Sequence, residues 1–306
     1  MGLVNRPLVH YVPANSAGIT FARAFIEVVC RGASFGARLP HTVVRAQGPR
    51  GAVRGEWVGA QPRPGEPLLY YVHGSGYVVC SPGSHRGLVS ELSRRLGRST
   101  FSLDYRLAPK YTFPAAHDDT LNGYLWLLEQ GYAASDIIVA GDSAGGHLAL
   151  ALCGQLRELG VAQPRAVLAL SPMTDVTWQR GIERDRVVRD PFMTGPGALR
   201  FTGRYTAGAD LSDGRLDVAA TVGPDQPPTL LQVGSREMLS ADAEHYALAA
   251  RAVGAPCELQ VWDGMFHVFQ MAYRVLPEAG AALEQIEQFV AKVDAAVAAT
   301  PRAAAG

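Results

Sequence analysis

Ser143 is the side chain whose surroundings point most directly to chemistry in this 306-residue chain. Gly141 and Gly145 bracket it as G-x-S-x-G, between an apolar run, Ile137 to Ala140, and a stretch whose apolar residues recur at helical spacing. A strand that folds back sharply into a helix leaves no room for side chains two residues either side of the turn, and glycine meets that need. The serine is thereby pushed out where a substrate can reach it. It also stands at a helix N-terminus, whose unpaired N–H groups favour a developing negative charge. A serine hydroxyl is a poor nucleophile near neutrality and needs an adjacent base, itself oriented by a third group. Of the eight histidines, His267 is the expected base. It follows the last strand-like run in the loop Asp263-Gly264-Met265-Phe266, at the carboxyl end of the sheet where Ser143 also lies.

The elements that must hold these groups can be read from periodicity. Apolar residues at Ile19, Ala22, Phe25, Ile26 and Val29 predict an N-terminal helix. Residues 41–46 and 52–58 read as two strands joined by a turn at 47–51, a hairpin at a sheet edge. Leu68 to Val72 is a continuous apolar run, the pattern of a strand buried on both faces. Helices are expected at 86–96 and 115–129, strands at 99–103 and before Ser143, and a helix from Ala144. Another buried strand, 165–170, ends at Ser171-Pro172. From 175 to 222 the regularity lapses, and a strandless stretch of that length is too long for a simple connection. It reads as an insertion, with a short helix at 197–206 presenting Phe201 and Tyr205. Strands at 229–233 and 257–262 and helices at 241–253 and 279–297 complete the pattern, and 300–306 reads as a disordered tail. Strands alternating with helices imply a mostly parallel sheet covered on both faces.

The hexapeptide Gly141-Asp142-Ser143-Ala144-Gly145-Gly146 resembles the nucleophile motif of the hormone-sensitive-lipase group of α/β-hydrolases. His73-Gly74-Ser75-Gly76 is similar to that group's upstream His-Gly-Gly-Gly motif. Tyr105-Arg106-Leu107-Ala108-Pro109, Phe113-Pro114-Ala115-Ala116, Ser171-Pro172 and Gly264-Met265 before His267 follow in the same order, so that the resemblance spans roughly residues 68 to 270. It implies an α/β-hydrolase fold: a sheet of about eight strands, a core of residues 41–174 and 223–299, and a helical cap formed by residues 1–40 and 175–222. The implied activity is that of a serine carboxylesterase acting through an acyl-enzyme on short to medium acyl esters.

In that fold the chain order is serine, acid, histidine, which calls for a carboxylate just past the strand at 229–233. Glu237 and Asp242 both fit. Asp242 falls in the first turn of the next helix behind Ser240, where an acid is favoured for local electrostatic reasons alone, and the family's acid position matches Glu237. An oxyanion hole needs N–H groups on backbone free of bulk. By resemblance the donors are the amides of Ser75, Gly76 and Ala144. Ser75 departs from the usual glycine; its amide survives and its hydroxyl is available for local hydrogen bonding. His73, Asp119 and Asp142 read as structural. Tyr77, beyond the oxyanion loop, and the aromatics Phe21, Phe25, Phe201 and Tyr205 of the cap are the candidate substrate-pocket residues. The same three catalytic groups would also open a lactone or cleave an amide, and related folds serve as small-molecule receptors that lack a triad member.

Composition bounds the rest. Twenty-eight basic and twenty-eight acidic side chains leave no net charge, so nothing points to nucleic acid or an anionic membrane as partner. Cys30, Cys80, Cys153 and Cys257 lack C-x-x-C spacing, which argues for free thiols and against a zinc site. No metal-binding or dinucleotide motif implies a cofactor. No signal-peptide core or membrane-length apolar run is present, and a cytoplasmic location is expected. The strand at 257–262 is placed where it could pair two subunits as a homodimer.

Overall fold

The computed structural model describes residues 16–33 and 38–299. The expected tail at 300–306, and residues 1–15 and 34–37 of the expected N-terminal cap segment, lie outside the described residues. Eight strands form one sheet: β1 (His41–Gly48), β2 (Gly51–Val58), β3 (Leu68–Val72), β4 (Ser99–Leu103), β5 (Ile137–Asp142), β6 (Ala166–Leu170), β7 (Thr229–Gly234) and β8 (Cys257–Trp262), in the order β1-β2-β4-β3-β5-β6-β7-β8. Only the pairs β1–β2 and β2–β4 are antiparallel. The first is the expected hairpin, closed by Pro49 and Arg50 between the paired Gly48 and Gly51.

The period-two rule shows in how the central strands divide their side chains. Tyr70, Val72, Val139, Val167 and Leu231 enter one apolar core, while Leu69, Tyr71, Ile138, Leu168 and Leu230 enter the other. The first core is covered by helices α1 (Ser16–Ala33), α3 (Ala115–Glu129), α4 (Ala144–Glu158) and α7 (Ser240–Ala252). The second lies under α2 (Pro82–Leu96) and the closing helix α8 (Pro277–Ala299). Strands buried on both faces can therefore be apolar throughout, as in the Ala-Val-Leu-Ala-Leu of β6, whereas the edge strand β8 keeps Glu258 and Gln260.

Two elements differ from the sequence pattern. Helix α2 begins four residues earlier than its apolar stripe, because Pro82 is suited to a first helical turn and the Ser81 N–H donates to the Ser84 hydroxyl at 3.0 Å. Between β6 and β7 the described backbone holds two α-helices, α5 (Gln179–Val188) and α6 (Gly195–Thr202), one 3₁₀ turn at Gly214–Leu216, and no strand beyond an isolated bridge between Asp175 and Asp217. Helix α5 has no counterpart in the sequence pattern: its Gln-Arg-Gly-Ile-Glu-Arg-Asp-Arg-Val-Val buries only Gly181, so it carries no apolar stripe, and it is held by packing on α6 and α7. Helix α6 starts two residues before the expected span, since the Thr194 hydroxyl caps it by accepting from Gly197 N–H at 3.2 Å.

Parallel order is what gathers the site. The carboxyl ends of β3, β5, β6, β7 and β8 lie side by side along one rim, and each leads into a loop holding one of the residues singled out above.

Candidate active site

Ser143 follows β5 with φ 53° and ψ −122°, a left-handed backbone that costs a non-glycine residue energy and persists only where its surroundings impose it. The neighbouring glycines show what imposes it. A Cβ on Gly141 would lie 2.4 Å from the Gly145 carbonyl oxygen, and one on Gly145 would lie 2.0 Å from the Val72 carbonyl oxygen. Helix α4 thus turns back directly over β5 and β3. The Ser143 N–H donates to the Leu170 carbonyl at 2.9 Å, tying the turn to β6, and the residue remains half-buried.

His267 reaches Ser143 from the loop after β8. Its Nε2 lies 3.0 Å from Ser143 Oγ and its Nδ1 lies 2.8 Å from Glu237 Oε2. An ionised carboxylate only accepts, which assigns the proton to Nδ1 and leaves Nε2 free to accept from the serine hydroxyl. Glu237 is fully buried, and its other oxygen accepts from Gly234 N–H at 2.6 Å and Ser171 Oγ at 2.8 Å. Ser171 in turn accepts from Val268 N–H at 3.0 Å, so one hydroxyl joins the acid to the backbone beside His267. The loops after β7 and β8 also touch directly: Arg236 N–H donates to the Met265 carbonyl at 3.0 Å, and a Cβ on Gly234 would lie 2.2 Å from that same oxygen. Burial opposes charge on the imidazole. The bond to Glu237 and the negative charges of Glu237, Asp190 and Asp142 outweigh it and hold His267 above its ordinary 6.5.

Of the two candidate acids, only Glu237 meets the histidine. Asp242 sits buried in the first turn of α7, facing the Thr174 hydroxyl at 3.4 Å, and burial with Asp175 nearby pushes its carboxyl up to about 8.

The loop His73-Gly74-Ser75-Gly76 follows β3, which pairs with β5 in a register that sets Val72 beside Gly141. Gly74 N–H is taken by Asp142 Oδ1 at 2.9 Å, and a Cβ there would lie 2.1 Å from the same carboxylate. Asp142 also accepts from Tyr71 Oη at 2.7 Å and meets His85 Nε2 at 3.1 Å. Burial would raise its carboxyl; His85, Tyr71 and Gly74 together hold it low. Burial likewise opposes charge on His85, and the carboxylate beside it wins, lifting the imidazole to about 9. His73 stacks on Tyr105 with ring centroids 4.4 Å apart, and burial with the neighbouring His85 drives it down to about 3. Both histidines, with Asp142, anchor the loop. Ser75 fits the place of the usual glycine because its hydroxyl accepts from Tyr77 N–H at 2.7 Å and meets Tyr105 Oη at 2.5 Å, while Tyr105 donates to the His73 carbonyl at 2.7 Å. Asp119 accepts from the Arg106 amide at 2.8 Å and from its guanidinium.

The expected pocket aromatics separate into three groups. Phe201, half-buried on α6, has its Cβ 4.0 Å from where a Cβ on Gly76 would stand, against the loop after β3. Tyr77 and Tyr205 are fully buried and stack on each other at 4.1 Å, so they pack behind the loop rather than lining an open wall. The buried His117 accounts for part of this: its Nδ1 holds Tyr205 Oη at 2.7 Å. Phe25 is half-buried beside Phe21 at 6.1 Å, and Phe21 is 57% exposed, so its ring faces solvent more than the fold. Asp190, which no sequence motif marked, is fully buried next to the loop after β7. Among the described residues, no group of three or more His, Cys, Asp or Glu side chains is arranged to hold a metal ion. Among them, too, no helix is long and apolar enough to cross a membrane.

Comparison with known proteins decides the kinship. A family described by the alpha/beta hydrolase fold matches residues 69–271. The chain belongs to the α/β-hydrolase family. This hydrolase is 37% identical over 238 residues to an acetyl-hydrolase of Streptomyces hygroscopicus, an alignment covering 77% of this chain and 78% of that one. It is 35% identical to the esterase LipU of Mycobacterium tuberculosis, over 72% of this chain and 76% of the relative. Among solved structures, an esterase from the bacterial hormone-sensitive lipase family superposes with a TM-score of 0.82 at 32% identity, covering 94% of this chain and 95% of the other. The hormone-sensitive-lipase resemblance carried by the motifs therefore extends to the whole described fold.

Proposed function

We propose that this hydrolase is a serine carboxylesterase acting on esters of short to medium acyl chains, with Ser143 as nucleophile, His267 as general base and acid, and Glu237 as the orienting carboxylate. At the coarser level, it is a carboxylic ester hydrolase, in keeping with relatives named esterase and acetyl-hydrolase. One observation carries the finer reading: a single imidazole bridges Ser143 Oγ at 3.0 Å and Glu237 Oε2 at 2.8 Å.

In this reading Ser143 Oγ attacks the ester carbonyl carbon as its proton passes to His267 Nε2. The oxyanion is received by the amides of Ser75, Gly76 and Ala144. Collapse of the tetrahedral intermediate breaks the bond to the alcohol, which leaves with the proton from His267. Water then attacks the acyl-enzyme by the same route and regenerates the hydroxyl. Glu237 keeps Nδ1 protonated throughout, and its two further donors, Gly234 and Ser171, hold it in place without neutralising it. Residues 175–222 with the N-terminal helix α1 act as the cap, bringing Phe201 against the oxyanion loop as an apolar contact for the acyl or alcohol group. The free edge of β8 is the proposed face for a homodimer.

A series of p-nitrophenyl esters from acetate to dodecanoate, with a matched lactone and anilide, tests the substrate class. The expected kcat/KM is greatest between acetate and hexanoate and negligible for the anilide. A maximum at dodecanoate, or lactone turnover exceeding ester turnover, would overturn the acyl-ester assignment.

A further inference from the structure

Asp190 lies between α5 and α6, far in sequence from the acid and base loops, yet it is fully buried against them. One carboxylate oxygen accepts from the amides of Phe192 at 2.8 Å and Met193 at 3.1 Å, which closes a tight turn in its own segment. The other accepts from Met238 N–H at 2.9 Å, the amide next to Glu237. The same segment reaches the base loop: the Phe192 ring packs on that of Phe266, next to His267, with centroids 4.8 Å apart. Its other end is fastened to α5, where Asp190 N–H donates to Asp185 Oδ1 at 2.8 Å. Burial raises the Asp190 carboxyl above its ordinary range, and His267 and the three amides oppose this by favouring the acceptor-only carboxylate.

We propose that Asp190 is a positioning residue of the acid–base pair: it fixes the Glu237 loop through the Met238 amide and, through the turn it closes, holds Phe192 against Phe266 beside His267. The proposal rests on the reading of Glu237 and His267 as acid and base. The carboxylates whose charge acts on His267 are Glu237 from the loop after β7, in contact with it at 2.8 Å, Asp190 from the inserted segment and Asp142 at the end of β5. Asp142 is engaged with His85 and Gly74, so Asp190 is the group that can be altered without disturbing the oxyanion loop. Its consequence is that the inserted segment does more than cover the substrate, since it completes the support of the proton-transfer machinery.

The test compares Asp190→Asn, which keeps the shape and loses the charge, with Asp190→Ala, which loses both, and with Glu237→Gln as reference. For Asp190→Asn the expected result is a kcat lowered about tenfold with KM within about twofold, and an acid limb of kcat/KM moved down by about half a pH unit. For Asp190→Ala the expected loss in kcat is about 10²-fold. If the alanine variant fails to fold by circular dichroism, the pH profile of the near-isosteric asparagine variant decides alone. An acid limb and kcat unchanged in Asp190→Asn, while Glu237→Gln is crippled, would refute the role of Asp190 and leave the triad intact. Full activity in Glu237→Gln would instead remove the triad reading on which the proposal stands.

Discussion

Replacing Glu237 by glutamine tests the orientation of His267 at almost constant shape. The carboxylate has two distinct ends. Oε1 is surrounded by donors, Gly234 N–H at 2.6 Å and Ser171 O–H at 2.8 Å, and the Gly234 amide can only donate, so an NH₂ placed there would meet it hydrogen to hydrogen. In the variant the amide oxygen must therefore stay at that end and the NH₂ must turn to the imidazole. Nδ1 can then only accept, the proton moves to Nε2, and the face presented to Ser143 at 3.0 Å becomes a donor. A base that cannot accept the serine proton is worth little. The corresponding tautomer swap in another serine hydrolase costs about 10⁴-fold in kcat, roughly 5.4 kcal/mol of transition-state stabilisation, and a similar loss is expected here. KM should change little, because Glu237 is fully buried behind the histidine. Steady-state hydrolysis of p-nitrophenyl butyrate by wild type and variant, each checked for fold by circular dichroism, measures the ratio. A loss of less than tenfold with the fold intact would refute the tautomer argument.

Three other outcomes follow from the geometry. Because His267 must be neutral to act as base and its environment holds it above 6.5, kcat/KM should fall as pH drops through an apparent value above 6.5; an acid limb centred below pH 6 would contradict this. Gly145→Ala would drive a Cβ to 2.0 Å from the Val72 carbonyl, so thermal and urea unfolding should show a destabilisation of about 3 kcal/mol or more, and a variant as stable as wild type would contradict the packing. The buried His85–Asp142 pair makes stability pH-dependent. The part owed to His85 is complete below its unfolded value near 6.5 and is lost as pH rises through about 9. The part owed to Asp142 is present above 3.8 and is lost as pH falls through its lowered folded value. Urea midpoints should therefore decline between pH 7 and 9.5, and His85→Gln should flatten that decline.

What the sequence disclosed, and what it withheld, follows from how local each cause is. The glycines around Ser143 answer a clash confined to one turn, so their spacing alone announced the elbow, and runs such as Leu68–Val72 announced strands because both faces are buried. Helix α5 left no such mark, since a charge-rich helix held by its neighbours carries no periodic stripe. Glu237 already matched the family's acid position and Asp242 a helix first turn, while the contact of one buried carboxylate with the imidazole and of the other with Thr174 is a matter of three-dimensional placement. Asp190 was invisible for a related reason: its partners are backbone amides, one of them 48 residues away, and amides have no signature in a sequence. The fate of the aromatics was equally non-local, as Tyr205 is turned inward by a hydrogen bond to His117 that no pattern in residues 197–206 could reveal.

The account turns on Ser143 becoming covalently acylated with the help of His267. Intact-protein and peptide mass spectrometry after treatment with a fluorophosphonate probe addresses this directly, with wild type, Ser143→Ala and His267→Ala run side by side. The expected result is a single adduct located on Ser143 in wild type, none in Ser143→Ala, greatly slowed labelling in His267→Ala, and loss of ester hydrolysis in parallel. An adduct on another residue, or ester hydrolysis retained by Ser143→Ala, would contradict it.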